Sequence, residues 1–148
     1  MLNIKKGFLM ICVLVLCSCA SNPKDVWVDD SLKPHFDYLV TLFDKNDIKI
    51  NYRKIKYIRR FPLNRARGYY FKQYKVIYIN EHFYRWDWIQ ILDEVKTVIL
   101  AHEIAHSQKI WHTDDKTSIM KDSVDLYITD IILEHGIEQP ILDAFKKN

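Results

Sequence analysis

From about Asp87 to Gln108, apolar residues recur at three- and four-residue steps through Trp88, Ile91, Leu92, Val95, Ile99 and Leu100. That pattern predicts a helix with an apolar face to bury. Its C-terminal turns carry His102, Glu103 and His106, polar groups that a packed helix tolerates only if each finds a partner. Any fold of this chain must be built around that helix. His102 and His106 are four residues apart, so both imidazoles project from one face and can bind a single zinc ion. Glu103, one step round the helix, can reach a water beside the metal without being a ligand. A site that keeps one position open needs a third protein ligand, and His112 is the candidate. It lies ten residues after His102, far enough for the helix to end and the chain to turn back.

The three cysteines, Cys12, Cys17 and Cys19, all lie near the N-terminus, so no disulfide can staple the rest of the chain. Length of 148 residues, 49% hydrophobic and 28% charged content fit one globular domain and exclude disordered, collagen-like and coiled-coil classes. Lys5 and Lys6 precede an apolar run from Phe8 to Leu16, which reads as an export leader over 1–18 and is too short to span a bilayer. Leu16-Cys17-Ser18-Cys19 resembles a bacterial lipobox. The resemblance implies that Cys19 becomes a lipidated N-terminus, anchoring the protein to a bacterial membrane on its extracytoplasmic side. Ala20 follows where an aspartate would signal inner-membrane retention, so the outer membrane is the default address. Plain secretion with cleavage near Ala20 is the other reading.

Residues 19–28 read as a tether and 29–148 as a single α+β domain. Asp29, Asp30 and Ser31 offer N-caps to an amphipathic helix through Leu32, Phe36, Leu39, Val40 and Phe43, stopping near Asn46. Ile48, Ile50 and Tyr52 alternate as a half-buried strand does, and Val76 to Ile79 form another strand. Between them Pro62 and Gly68 mark a loop or hairpin whose second arm is Tyr69 to Tyr74. A last helix runs roughly from Ser123 to His135 and ends before Gly136. Lys49 to Asn80 holds ten basic residues and no acidic one, whereas Glu81 onward holds thirteen acids. Either a basic sheet edge attracts an acidic substrate or anionic headgroups, or the cations simply occupy the solvated face of the strands. The overall charge of +3 includes the two leader lysines and points to no partner; no nucleic-acid module is visible, and no nucleic-acid partner is expected.

The spacing H-E-x-x-H-x-x-x-x-x-H over His102, Glu103, His106 and His112, followed by Ser118-Ile119-Met120, resembles the zinc signature and Met-turn of the metzincin metallopeptidases. The interval from His112 to Met120, with Asp115 between them, is most similar to the matrixins. The resemblance covers about nineteen residues closely. It implies a small metzincin-like domain with a twisted, mostly parallel sheet, an edge strand, an active-site helix, a Met-turn and a C-terminal helix. It further implies a catalytic Zn²⁺ held by His102, His106 and His112, Glu103 as general base, and Met120 as a floor packed beneath the metal. Peptide or protein substrate would lie along an exposed strand, Val76 to Asn80 or Tyr69 to Tyr74, with Lys121 to Ser123 lining a side-chain pocket. The clan's glycine seven residues after the first histidine is Lys109 here, which costs on the order of 1 kcal/mol if its φ is positive.

His35, His82 and His135 are expected at the surface or at helix caps rather than on metal. Asp114, Asp115 and Glu134 are the carboxylates that can complete the sphere should His112 not do so. The expected activity is zinc-dependent endopeptidase cleavage by a monomer. The alternative is a non-catalytic zinc-binding envelope lipoprotein that serves as a binding or structural module, and a coincidental motif on an unrelated lipoprotein is the remaining reading.

Overall fold

The computed structural model describes residues 21–64, 66–80, 92–115, 117–121 and 128–146. The leader, Cys19, His82, the first turn expected of the long helix from Asp87, and the pocket residues beyond Lys121 lie outside the described residues. Among those described, no helix is long and apolar enough to cross a membrane.

The architecture is mixed, with a small sheet covered on one face by helices. Strands β1 (Trp27–Val28), β2 (Tyr57–Phe61), β4 (Val76–Asn80) and β3 (Gly68–Phe71) lie side by side in that order. β1, β2 and β4 run parallel, and β3 pairs antiparallel with β4 at the edge. The sheet is therefore mostly parallel, as expected. Val76–Asn80 is an inner strand, so of the two candidate substrate edges only the segment beginning at Gly68 is one. The Tyr69–Tyr74 arm is shorter than expected: the strand ends at Phe71, and Lys72 to Lys75 form the turn, with Lys75 at φ +56°.

Helix α2 (Leu92–Ser107) is the centre of the molecule. Val95, Val98, Ile99, Leu100, Ala101, Ile104 and Ala105 are all buried, so apolar residues occupy most of its circumference rather than one stripe. It packs on β3 and β4 and against α1 (Lys33–Lys45), α3 (Ile128–His135) and α4 (Glu138–Lys146). α1 buries Phe36, Leu39 and Phe43 of the stripe read from the sequence and Leu42 in addition, whereas Val40 is half-buried. Its N-cap is Leu32, without a side-chain hydrogen bond; Asp29 instead accepts from the Ser31 N–H and hydroxyl and pairs with Arg60, closing the turn that leads into the helix. α3 stops at His135, and Gly136, at φ +68°, makes the left-handed exit. α4 was not apparent in the sequence; it buries Pro140, Ile141, Leu142 and Ala144, and Phe145 tilts against Phe43 with ring centres 4.7 Å apart.

Two expectations are corrected. The described part of the expected tether belongs to the fold, because Val26 is buried, Trp27 and Val28 pair with β2, and the Ser21 hydroxyl donates to the Ile50 carbonyl. The expected strand at Ile48, Ile50 and Tyr52 does not form. Its backbone bonds to side chains instead: Asn51 N–H to Gln108 Oε1, and Tyr52 N–H to Ser21 Oγ, after which Tyr52–Lys54 makes a 3₁₀ turn. Ile50 and Tyr52 are buried nonetheless, so the alternation reported burial and not ladder pairing.

Candidate metal centre

α2 ends by a left-handed turn that sets the first half of the site. The Ile110 N–H bonds the Ala105 carbonyl at 3.0 Å and the Lys109 N–H bonds the His106 carbonyl at 3.0 Å, the paired bonds of a Schellman motif. Lys109 occupies the left-handed position at φ +72°, where glycine is usual. The turn brings the Ile110 carbonyl back to His106, whose Nδ1 donates to it at 3.0 Å, and sends His112 towards the helix. The second half is the loop of residues 113–121, closed by the Thr113 N–H bonding the Met120 carbonyl at 2.9 Å and by a bridge between Thr113 and Lys121. Met120 is 1% exposed, and the neighbouring Ile119 carbonyl accepts from His102 Nδ1 at 2.6 Å.

These two carbonyls decide the imidazole tautomers. A carbonyl only accepts, so Nδ1 of His102 and of His106 carries the proton and each Nε2 of the neutral ring presents a bare lone pair. The two Nε2 atoms nevertheless face one another at 3.0 Å, and His112 Nε2 stands 3.1 Å from His106 and 3.3 Å from His102. Converging lone pairs repel unless a cation lies between them. A tetrahedral ion with bonds of 2.0–2.1 Å separates its ligand nitrogens by about 3.3–3.4 Å, close to the spacing found. The three histidines thus lie close enough together to hold one metal ion, and the donor set fits it. No other group of metal-binding side chains gathers among the described residues.

Glu103 is 5% exposed, and its carboxyl lines the same cleft of about 1010 Å³ as the three histidines. Burial pushes this carboxyl up to about 8, opposed by the Tyr70 backbone N–H that donates to it. The Tyr70 bond follows from the register of β3. Because the Asn80 N–H bonds the Arg67 carbonyl at 2.8 Å, Arg67, Tyr69 and Phe71 direct their backbone groups into the sheet, and Gly68 and Tyr70 direct theirs outward, over α2. Gly68 is what permits this approach: a Cβ there would stand 2.7 Å from Glu103 Cγ and Oε1. The buried Asn80 amide donates to the Leu63 and Ala66 carbonyls and fixes the loop that delivers Gly68. Burial lowers the His106 imidazole, opposed by its bond to the Ile110 carbonyl and aided by His112.

The alternative ligands stay apart from the cluster. Asp115 accepts from the Thr117 N–H and hydroxyl, and Glu134 pairs with His135 at 3.6 Å. Asp114 is exposed outside it. His35 packs between α1 and α2, its Nδ1 at 2.9 Å from Thr97 Oγ1. The Tyr70 N–H and the Ile110 and Ile119 carbonyls were not singled out from sequence, and Gly68 was read there as a turn marker and not as a site residue. Only Gly68 left a signal, since a glycine within a strand pattern often marks a close backbone approach. Comparison of the chain with protein-family models, with curated proteins and with solved structures found no significant match.

Proposed function

We propose that this chain is a zinc-dependent endopeptidase of metzincin type. The observation that carries the reading is the convergence of three imidazole nitrogens at tetrahedral spacing, on the wall of a cleft that also holds the Glu103 carboxyl. Imidazole suits several transition metals, and an all-nitrogen tetrahedral set with an open corner favours zinc among them. The antiparallel edge strand over the histidine-bearing helix and the buried Met120 in the following loop support the clan assignment.

Zinc, when bound, supplies Lewis-acid polarisation of a carbonyl and acidifies water at its open position. The chain supplies the rest. A carboxyl held up to about 8 is mostly protonated at neutral pH in the empty site, and positive charge nearby favours its ionised form, so loading the site makes Glu103 a base. A Glu103 carboxylate oxygen then takes a proton from the attacking water and returns it to the departing amine. The outward carbonyls of Gly68 and Tyr70 offer acceptors along an edge on which an extended peptide can pair, whatever its side chains, the Tyr70 N–H being taken by Glu103. The Ile110 and Ile119 carbonyls hold two imidazoles in the ligating tautomer. The reading includes a lipid anchor at Cys19, an extracytoplasmic site of action at a bacterial membrane, and a monomer.

The test is Glu103→Gln. Zinc-loaded wild type should cleave unstructured peptides, and the variant should keep its zinc while cleaving on the order of 10²–10⁴-fold more slowly. A variant as active as wild type, or a zinc-loaded wild type that cleaves no peptide, contradicts the proposal. The second result leaves the metal as a structural clamp.

A further inference from the structure

We propose that the peptide taken by this site is acidic, with carboxylate side chains on both flanks of the segment lying along β3; the inference rests on the peptidase reading and names its substrate class. Six cations, Lys54, Arg67, Lys72, Lys75, Lys109 and Lys121, line the cleft that holds the three histidines. Among its described lining residues the only carboxyl is Glu103, which is buried. The cations come from separate parts of the chain: the 3₁₀ turn before β2, the two ends of β3, the turn after α2 and the loop after Met120. Four of them belong to the basic stretch 49–80, and Lys109 and Lys121 join them from beyond α2.

Seven of the ten cations of the basic stretch fall into two groups in the fold. Arg59 stacks over the rings of Trp27 and Tyr57, Lys56 lies over Tyr57, and Arg60 pairs with Asp29. Those residues belong to other surfaces. Lys54, Arg67, Lys72 and Lys75 instead face the cleft, and backbone bonds hold Lys54 to β3 and Lys75 to the start of β2. The Tyr70 hydroxyl donates to the Lys54 carbonyl at 2.8 Å, and the Lys56 N–H donates to the Lys75 carbonyl at 2.6 Å. Lys54, Lys72 and Lys75 therefore stand at the Phe71 end of the edge strand and Arg67 at its Gly68 end. At about 3.3 Å per residue, Arg67 and Lys72 are roughly 16 Å apart along the strand, the length of some five residues of a bound peptide. Cations around a concave wall focus field into the cleft and raise the local concentration of an anionic chain. A flat anionic membrane would meet a convex or planar basic face, whereas these side chains surround a groove that contains the metal ligands.

The experiment uses two decapeptides that differ only in Glu or Gln at two positions five residues apart. Binding is measured by fluorescence anisotropy to zinc-loaded Glu103→Gln protein, and cleavage is measured with wild type. The Glu peptide should bind on the order of tenfold more tightly near 50 mM salt, with the advantage vanishing towards about 500 mM. In wild type its kcat/KM should exceed that of the Gln peptide by a similar factor. The double variant Lys72→Glu/Lys75→Glu should erase or invert the ratio, and Lys72→Gln/Lys75→Gln should reduce it, both with unchanged circular dichroism. Equal affinities, or a preference that survives charge reversal, overturn the proposal. So does binding to anionic lipid vesicles that disappears on charge reversal while both peptides bind alike. Cleavage without preference removes this inference and leaves the peptidase reading, whereas a charge-dependent preference without any cleavage removes the peptidase reading and leaves acidic-peptide recognition.

Discussion

A methyl group on Gly68 would collide with the Glu103 side chain, which is buried against the half-buried glycine of the edge strand. In Gly68→Ala the carboxyl must swing away or β3 must lift from α2. A misplacement of about 1 Å costs roughly 10²-fold in rate, so peptide cleavage should fall by about that factor while zinc content is unchanged. Equal activity of the variant would show that Glu103 is not held by this contact. His35 belongs to stability rather than chemistry. Burial lowers its imidazole below the ordinary 6.5, Asp93 opposes that shift and Lys96 adds to it. The neutral ring is the form the fold accepts, so its contribution is present above pH 6.5 and is lost as pH falls through the lowered value. His35→Gln should therefore lose less thermal stability than wild type between about pH 7 and 5, and parallel melting profiles would refute this.

At the scale of elements, α2 and its exit turn set the geometry of everything described above. Lys109 at φ +72° stores on the order of 1 kcal/mol of strain that glycine would relieve, so Lys109→Gly should raise Tm by a few degrees with the metal in place. An unchanged or lower Tm would mean that the lysine side chain compensates for the strain. α1 was legible because its periodic apolar pattern matches its burial, and α2 and β4 because their apolar residues are buried on nearly every side. β2 was not, since Tyr57–Phe61 buries only Ile58 and places Arg59 and Arg60 after it. The segment at Ile48 to Tyr52 misled because an alternating pattern cannot distinguish a ladder from backbone bonds made to Ser21 and Gln108 side chains. The histidine spacing showed which residues belong together, since ligands four and ten residues apart on a helix and its exit are local. The cleft's cations and the Gly68 contact depend on strand order, which no local pattern encodes.

In the whole molecule the three clustered histidines bridge the C-terminal turn of α2 and the segment beyond it, and no described contact depends on a disulfide. Binding to the folded form alone stabilises it by about 2.7 kcal/mol at a ligand concentration one hundred times Kd. Chelation should accordingly lower Tm by on the order of 5–10 °C, reversibly on adding zinc. The most direct measurement is zinc stoichiometry together with X-ray absorption at the zinc edge, on wild type and on His112→Ala. The account predicts one zinc per chain, bound through three imidazole nitrogens at about 2.0–2.1 Å, with one of them lost and affinity weakened in the variant. A chain that takes up no stoichiometric metal, or a metal shell that His112→Ala leaves unaltered, contradicts it.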